Sequence, residues 1–210
     1  MSVAGALASR WAGRAGTVAF VLAALALARA VGDELPSPFD TYAAPREVAT
    51  TEGTAAHLRA ATVTVDGIAL SRTFRSSSST YESPGVFVLA DVTFSPTIED
   101  ATLGHVEIVD AAGRSFTPTR SGSSTCPLTA PGLVARCSVL LELPADALPG
   151  ARLRLGTDGT DTAYQDLAVL DLGLTARDVQ VAADAEPVQP REPLLQGGRG
   201  RQSKQGQAAG

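Results

Sequence analysis

Few residues in this 210-residue chain have the type and spacing for chemistry. The only histidines are His57 and His105, and the only cysteines are Cys126 and Cys137. A serine nucleophile needs a base within hydrogen-bond reach and a third group to orient that base. Serines are plentiful at 76–79 and acids are scattered, but no G-x-S-x-G, S-x-x-K, H-E-x-x-H or P-loop sequence holds them at working distances. His105 falls on the polar side of an alternating segment, HVEIVD, where a solvated surface histidine is expected. The reading is therefore of a chain without catalytic residues, and not of an enzyme.

Metal chemistry is weighed on TDGTDTAYQD, where Asp158, Asp161 and Asp166 lie near a glycine. Ca²⁺ takes six or more hard oxygen ligands, and the spacing here is not that of the D-x-[DN]-x-[DN]-G loop. Asp as a turn former accounts for the stretch, and no metal or cofactor is expected. Cys126 and Cys137 have no histidine or further cysteine close by for a zinc cage. Two cysteines in an exported chain read as a disulfide. The ten residues between them make a short closed loop.

Which compartment those cysteines meet depends on Ala15 to Gly32, AGTVAFVLAALALARAVG. Residues 15–28 carry no charge, and eighteen residues of helix rise roughly 27 Å, close to the hydrocarbon thickness of a bilayer. Arg10 and Arg14 precede the run, and Asp33 and Glu34 follow it. The positive-inside rule then leaves residues 1–14 in the cytoplasm and exports the rest. Arg29 lies near the far end, where its stem can carry the charge out to the headgroups. The expectation is a single-pass anchor in the cytoplasmic membrane over residues 15–32. The alternative is a cleaved signal peptide and a secreted antigen-like or ligand-carrier protein, since Ala26-Leu27-Ala28 and Ala28-Arg29-Ala30 offer small residues for cleavage.

Charge agrees with an exported domain that does not bind nucleic acid. The chain carries a formal −5, and residues 33–177 hold 18 acids against 10 arginines. An acidic domain repels phosphate backbones and anionic lipid alike. No basic stripe with interleaved aromatics is present. The sequence contains no Asn, hence no N-glycosylation sequon.

Residues 33–60 have prolines at 36, 38 and 45 and little periodicity, and read as an extracytoplasmic linker. From Ala61 the period becomes two. Val63 and Val65 alternate with Thr62 and Thr64; Ile68 to Leu70 forms a second short piece after Gly67; and Ser76 to Thr80 is a polar loop. In the strongest strand Val86, Val88, Ala90, Val92 and Phe94 share a face. Phe87 and Leu89 fall on the opposite face, either as a contact patch or covered by the linker. Val106 and Ile108 point inward, Ala111-Ala112-Gly113 turns a hairpin, and Arg114 to Thr119 returns. Cys137, Val139, Leu141 and Leu143 alternate with polar neighbours; PADALPG is a turn; Arg152 and Arg154 share an exposed face; Asp166 to Leu174 closes the domain. Seven or eight short strands with no amphipathic helix make an all-β fold, an antiparallel sandwich over residues 61–177, with a barrel as the alternative. Residues 178–210, rich in Pro, Gln, Gly and Arg, read as a disordered tail.

VFVLADVTF, VEIVDAAGRSFTPTR and CPLTAPGLVARCSVLLELPADALPGARLRL together resemble the exported bacterial immunoglobulin-like domains of the telokin-like, immunoprotective secreted-antigen type. Asp110, Gly113, Arg114 and Phe116 match that family's D-x-x-G-R-x-F hairpin, and Leu141-Glu142-Leu143-Pro144 matches its strand end. The match covers roughly residues 60–175. It implies an immunoglobulin-like fold and an exported location, and no catalytic residue. The resulting expectation is a non-catalytic binding module of the cell envelope, with an envelope protein or a cell-wall component as partner.

Overall fold

Alternation over residues 61–175 produces two sheets facing each other across one apolar layer, as a computed structural model of the chain shows. The structure describes residues 20–27, 29, 44–76, 78–118, 126–157 and 165–197. The chain divides into two units, Met1–Ala43 and Ala44–Gly210. In the first, residues 20–27 are helical and Phe20, Leu22, Leu25 and Leu27 are exposed. No helix among the described residues is long and apolar enough to cross a membrane. The remaining residues of the expected 15–32 span, apart from Arg29, lie outside the described residues, as do residues 1–14.

In the second unit the strands are β1 (Arg46–Thr50), β2 (Ala56–His57), β3 (Ala61–Arg75), β4 (Thr80–Pro96), β5 (His105–Val109), β6 (Ser115–Phe116), β7 (Leu133–Leu143), β8 (Arg152–Gly156), β9 (Asp166–Asp171) and β10 (Leu194–Gly197). One sheet has the order β1-β9-β8-β5-β6 and the other β10-β7-β4-β3-β2. Among the described strands all pairings are antiparallel except β1 with β9; outside the strands, Val188 makes a single parallel bridge to Phe74. The two sheets stay separate, so the architecture is a β-sandwich rather than a closed barrel. Val63 and Val65 from β3, Val88, Val92 and Phe94 from β4, Leu141 from β7, Ile108 from β5 and Leu153 and Leu155 from β8 meet between them. These are the inward positions that period-two reading assigns.

β3 is one strand rather than two pieces. A register shift between Val65 and Gly67 absorbs Asp66 as a bulge, and a second lies between Ser71 and Thr73. Gly85 is forced by close approach: a Cβ there would lie 2.2 Å from the Leu143 carbonyl oxygen of β7.

Three expectations are corrected. Residues 44–60 are not a free linker: β1 and β2 belong to the sheets, while residues 33–43 lie outside the described residues. β1 pairs with β9 about 120 residues away, which no local pattern reports. The domain does not stop at 177, and residues 178–197 are not a disordered tail. A helix, Ala176–Asp184, buries Ala182 in the sandwich core. Its start is held by the Asp178 carboxylate, which accepts from the Thr175 N–H and hydroxyl, each at 2.7 Å. β10 then adds to β7. Residues 198–210 lie outside the described residues. The helix has only Val179 and Ala182 as core-facing apolar residues, too few to stand out by periodicity.

Candidate interaction surface

Both outer faces of the sandwich are built upon, which changes the meaning of several candidate residues. On the outer face of the β4 sheet, Phe87, Leu89 and Leu140 are buried with Phe74 and Val188 in a second apolar cluster. Phe74 stacks on Tyr81 with centroids 5.7 Å apart and tilts against Phe87 at 5.8 Å. Among the described residues the cover is the C-terminal segment from Glu186 to Gly197, not residues 44–60 of the expected linker. The Val188 N–H donates to the Thr73 carbonyl at 2.9 Å, and its carbonyl accepts from the Arg75 N–H at 2.9 Å. That exploits the part of β3 beyond the reach of two-residue β2. The Arg191 N–H then donates to the Ser138 hydroxyl at 3.1 Å, and its guanidinium lies 3.2 Å from the Asp91 carboxylate. Ser138 itself donates to Asp91 at 2.6 Å. β10 completes the crossing along the β7 edge, Leu194 opposite Arg136 and Gln196 opposite Val134.

The segment thus runs from one edge of the sheet to the other, a strap over the apolar cluster. Beside it is a groove of about 440 Å³ lined by Asp66, Asp91, Arg136, Arg191 and Leu194. Asp66 accepts from the Thr93 hydroxyl at 2.6 Å. Leu194 and Leu195, about half exposed, stand on the outermost strand of this sheet. None of this was legible in the sequence. The available signal was Pro187, Pro190 and Pro193 keeping an extended segment, followed by Leu194-Leu195.

The outer face of the other sheet carries a charged ladder. The Arg154 guanidinium donates to Glu47 at 2.5 Å and to Glu107 at 3.4 Å, and the Ser115 hydroxyl also donates to Glu107. His105 Nε2 is buried 3.2 Å from the Glu107 carboxylate. Burial alone would push the Glu107 carboxyl up; the Ser115 hydroxyl, His105 and Arg154 outweigh it and hold it below its ordinary value. The expected solvated histidine is therefore a half-buried one, and Arg154 is paired rather than free. Arg152 is exposed, as its strand position implies, and so is His57, with Nδ1 3.3 Å from the Thr62 hydroxyl.

The hairpin motif has a mechanical role. Gly113 adopts a positive φ of 81°, and the buried Asp110 accepts from the N–H groups of Ala112 and Arg114. Arg114 Nε donates to the same carboxylate, and its Nη2 reaches Asp146, at 2.7 Å, in the short turn Ala145–Ala147 that follows β7. Burial would raise the Asp110 carboxyl, but the Arg114 side chain and these N–H groups hold it low. Arg114 therefore clasps the hairpin to the turn that follows β7. The return strand is short, Ser115–Phe116.

Asp158 and Asp161 lie outside the described residues, as does Ser77 within the serine loop. Asp166 is turned inward, accepting from Arg46 Nε at 3.0 Å and Nη2 at 2.7 Å, and from the Arg59 N–H at 2.7 Å. It is a tie for β1, not a free ligand. Among the described residues no group of His, Cys, Asp or Glu is arranged to hold a metal. Cys126 and Cys137 are joined, with Cα atoms 5.3 Å apart, binding the segment before β7 to the core.

The fold defines the class as a two-sheet β-sandwich closed on one outer face by its own C-terminal strap. No family model matches the chain, and no curated protein matches it. Among solved structures, an uncharacterised β-sandwich protein of Clostridium difficile 630 is similar at 12% identity, over 61% of this chain and 94% of that one, with a TM-score of 0.38.

Proposed function

We propose that this chain is a non-catalytic interaction module of the immunoglobulin-like, exported type, held outside the cytoplasmic membrane by residues 15–32. The observation that carries the reading is the Cys126–Cys137 bond, made by the chain's only two cysteines. Such bonds persist in oxidising compartments, and a basic-flanked apolar run is the natural route there. Strand order supports the immunoglobulin-like type: β3-β4-β7 run in the order of strands A, B and E, and β5-β8-β9 in that of C, F and G. The module would engage an envelope protein or a cell-wall component through the loops at the ends of the sheets or the open side of β10. The secreted form, released near Ala28 or Ala30, remains the second reading because small residues flank those positions.

The test is to fractionate cells and medium and read the N-terminus and intact mass in each. Membrane-bound protein beginning at Met1 or Ser2 supports the anchored module; protein starting at Arg29 or Val31 in the medium supports release. Residues 44–197 in the cytoplasm, with both thiols free, would refute both. For the anchored form, crosslinking in intact cells should then give a specific neighbour; recovering none would defeat the interaction reading.

A further inference from the structure

We infer that the strap, Glu186 to Gly197, is an exchangeable element, and that the surface beneath it accepts the same segment from a second copy of this chain. Every contact named above for residues 188–197 is made with the sandwich: Thr73 and Arg75 on β3, Asp91 on β4, Ser138 and the edge of β7. Those groups present the same pattern to a strap arriving from another molecule. The attachment is shallow, because Val188 is the strap's one buried side chain and residues 191–197 are all exposed. It is also specific, because an apolar residue must enter beside Phe74 while a cation three positions later meets Asp91.

Release would uncover Phe74, Phe87, Leu89 and Leu140 together with the unpaired edge of β7, a combination that recruits another strand. The second copy's strap is the occupant whose fit is already demonstrated, including the Arg191 charge against Asp91. Pro187, Pro190 and Pro193 keep the segment extended, and twelve extended residues span roughly 40 Å. The closed and exchanged forms make the same contacts and differ in the short connection after Asp184, so concentration decides between them.

The test mixes two full-length variants in mild detergent, each keeping its native disulfide. One carries Val134→Cys and the other Gln196→Cys, positions that face each other across β7 and β10. After prolonged co-incubation and mild oxidation, the expected result is a disulfide-linked heterodimer that neither variant forms with itself. Monomers alone would overturn the proposal, provided the two substitutions in one chain close an intrachain bond. The second measurement is light scattering of the unmodified full chain, which should show a twofold-mass species growing with concentration, while the chain carrying both substitutions, oxidised at high dilution so that its own strap is locked onto β7, should stay monomeric. An unmodified chain that is monomeric at every concentration, or a locked chain that dimerises as readily, would overturn the inference.

Discussion

Leu140 and Leu141 are adjacent on β7, and both are completely buried. They point to opposite faces: Leu141 into the layer between the sheets, Leu140 into the cluster under the strap. In a simple two-layer sandwich the outer position would face water, and truncating it would move stability by less than about 0.5 kcal/mol. With the strap as a third layer, both truncations remove the same buried atoms and leave cavities. Leu140→Ala and Leu141→Ala should each cost about 2–5 kcal/mol, with Leu140→Ala toward the lower end because a thin strap can relax into the gap. Urea unfolding followed by fluorescence and circular dichroism measures both. Val188→Ala should cost less alone and should be non-additive with Leu140→Ala, because the two side chains share the cluster. Val188→Ala on a Leu141→Ala background should be close to additive. A Leu140→Ala variant within about 0.5 kcal/mol of the parent would refute the third layer.

Replacing Cys126 and Cys137 by Ala should lower stability by about 2–3 kcal/mol, the chain-entropy value for so short a loop, as measured by urea midpoints with and without reductant. Asp166 gives a pH signature. Hydrogen bonding from Arg46 lowers its carboxyl below the ordinary range, against the opposing effect of burial and with help from the Arg59 N–H. A folded-state pKa below the unfolded one gives a contribution complete above about pH 4 and lost as pH falls through the folded value. Asp166→Asn should therefore flatten the acid limb of stability against pH, and an unchanged limb would show that the tie to β1 carries no such linkage. Gly85→Ala should cost about 1–3 kcal/mol by pushing β4 from β7, read by faster hydrogen exchange of both strands; a neutral result would contradict their close approach.

The inner faces of the sandwich were legible because burial on one side imposes a period of two that survives in any single strand. Val86, Val88, Ala90, Val92 and Phe94 announce their shared face, and all are buried in the core. The hairpin at Asp110–Arg114 was legible because its residues are close in sequence and its turn demands glycine. The cysteine pair was legible from an even count taken with the export that residues 15–32 imply. What only the tertiary structure decided is what meets across long separations. β1 pairs with β9 through backbone groups common to every residue, so REVAT carries no mark of its partner. The strap lies on the outer face because Phe74, Phe87, Leu89 and Leu140 need cover, yet its own residues are mostly exposed and leave no periodic trace. Residues 178–197 look like a polar tail because a layer one strand thick buries only Ala182 and Val188 from its own sequence. Local patterning thus determined which face of each strand is apolar. Sheet order and the segment that seals the second face were set by contacts whose energy belongs to both partners and is visible in neither alone.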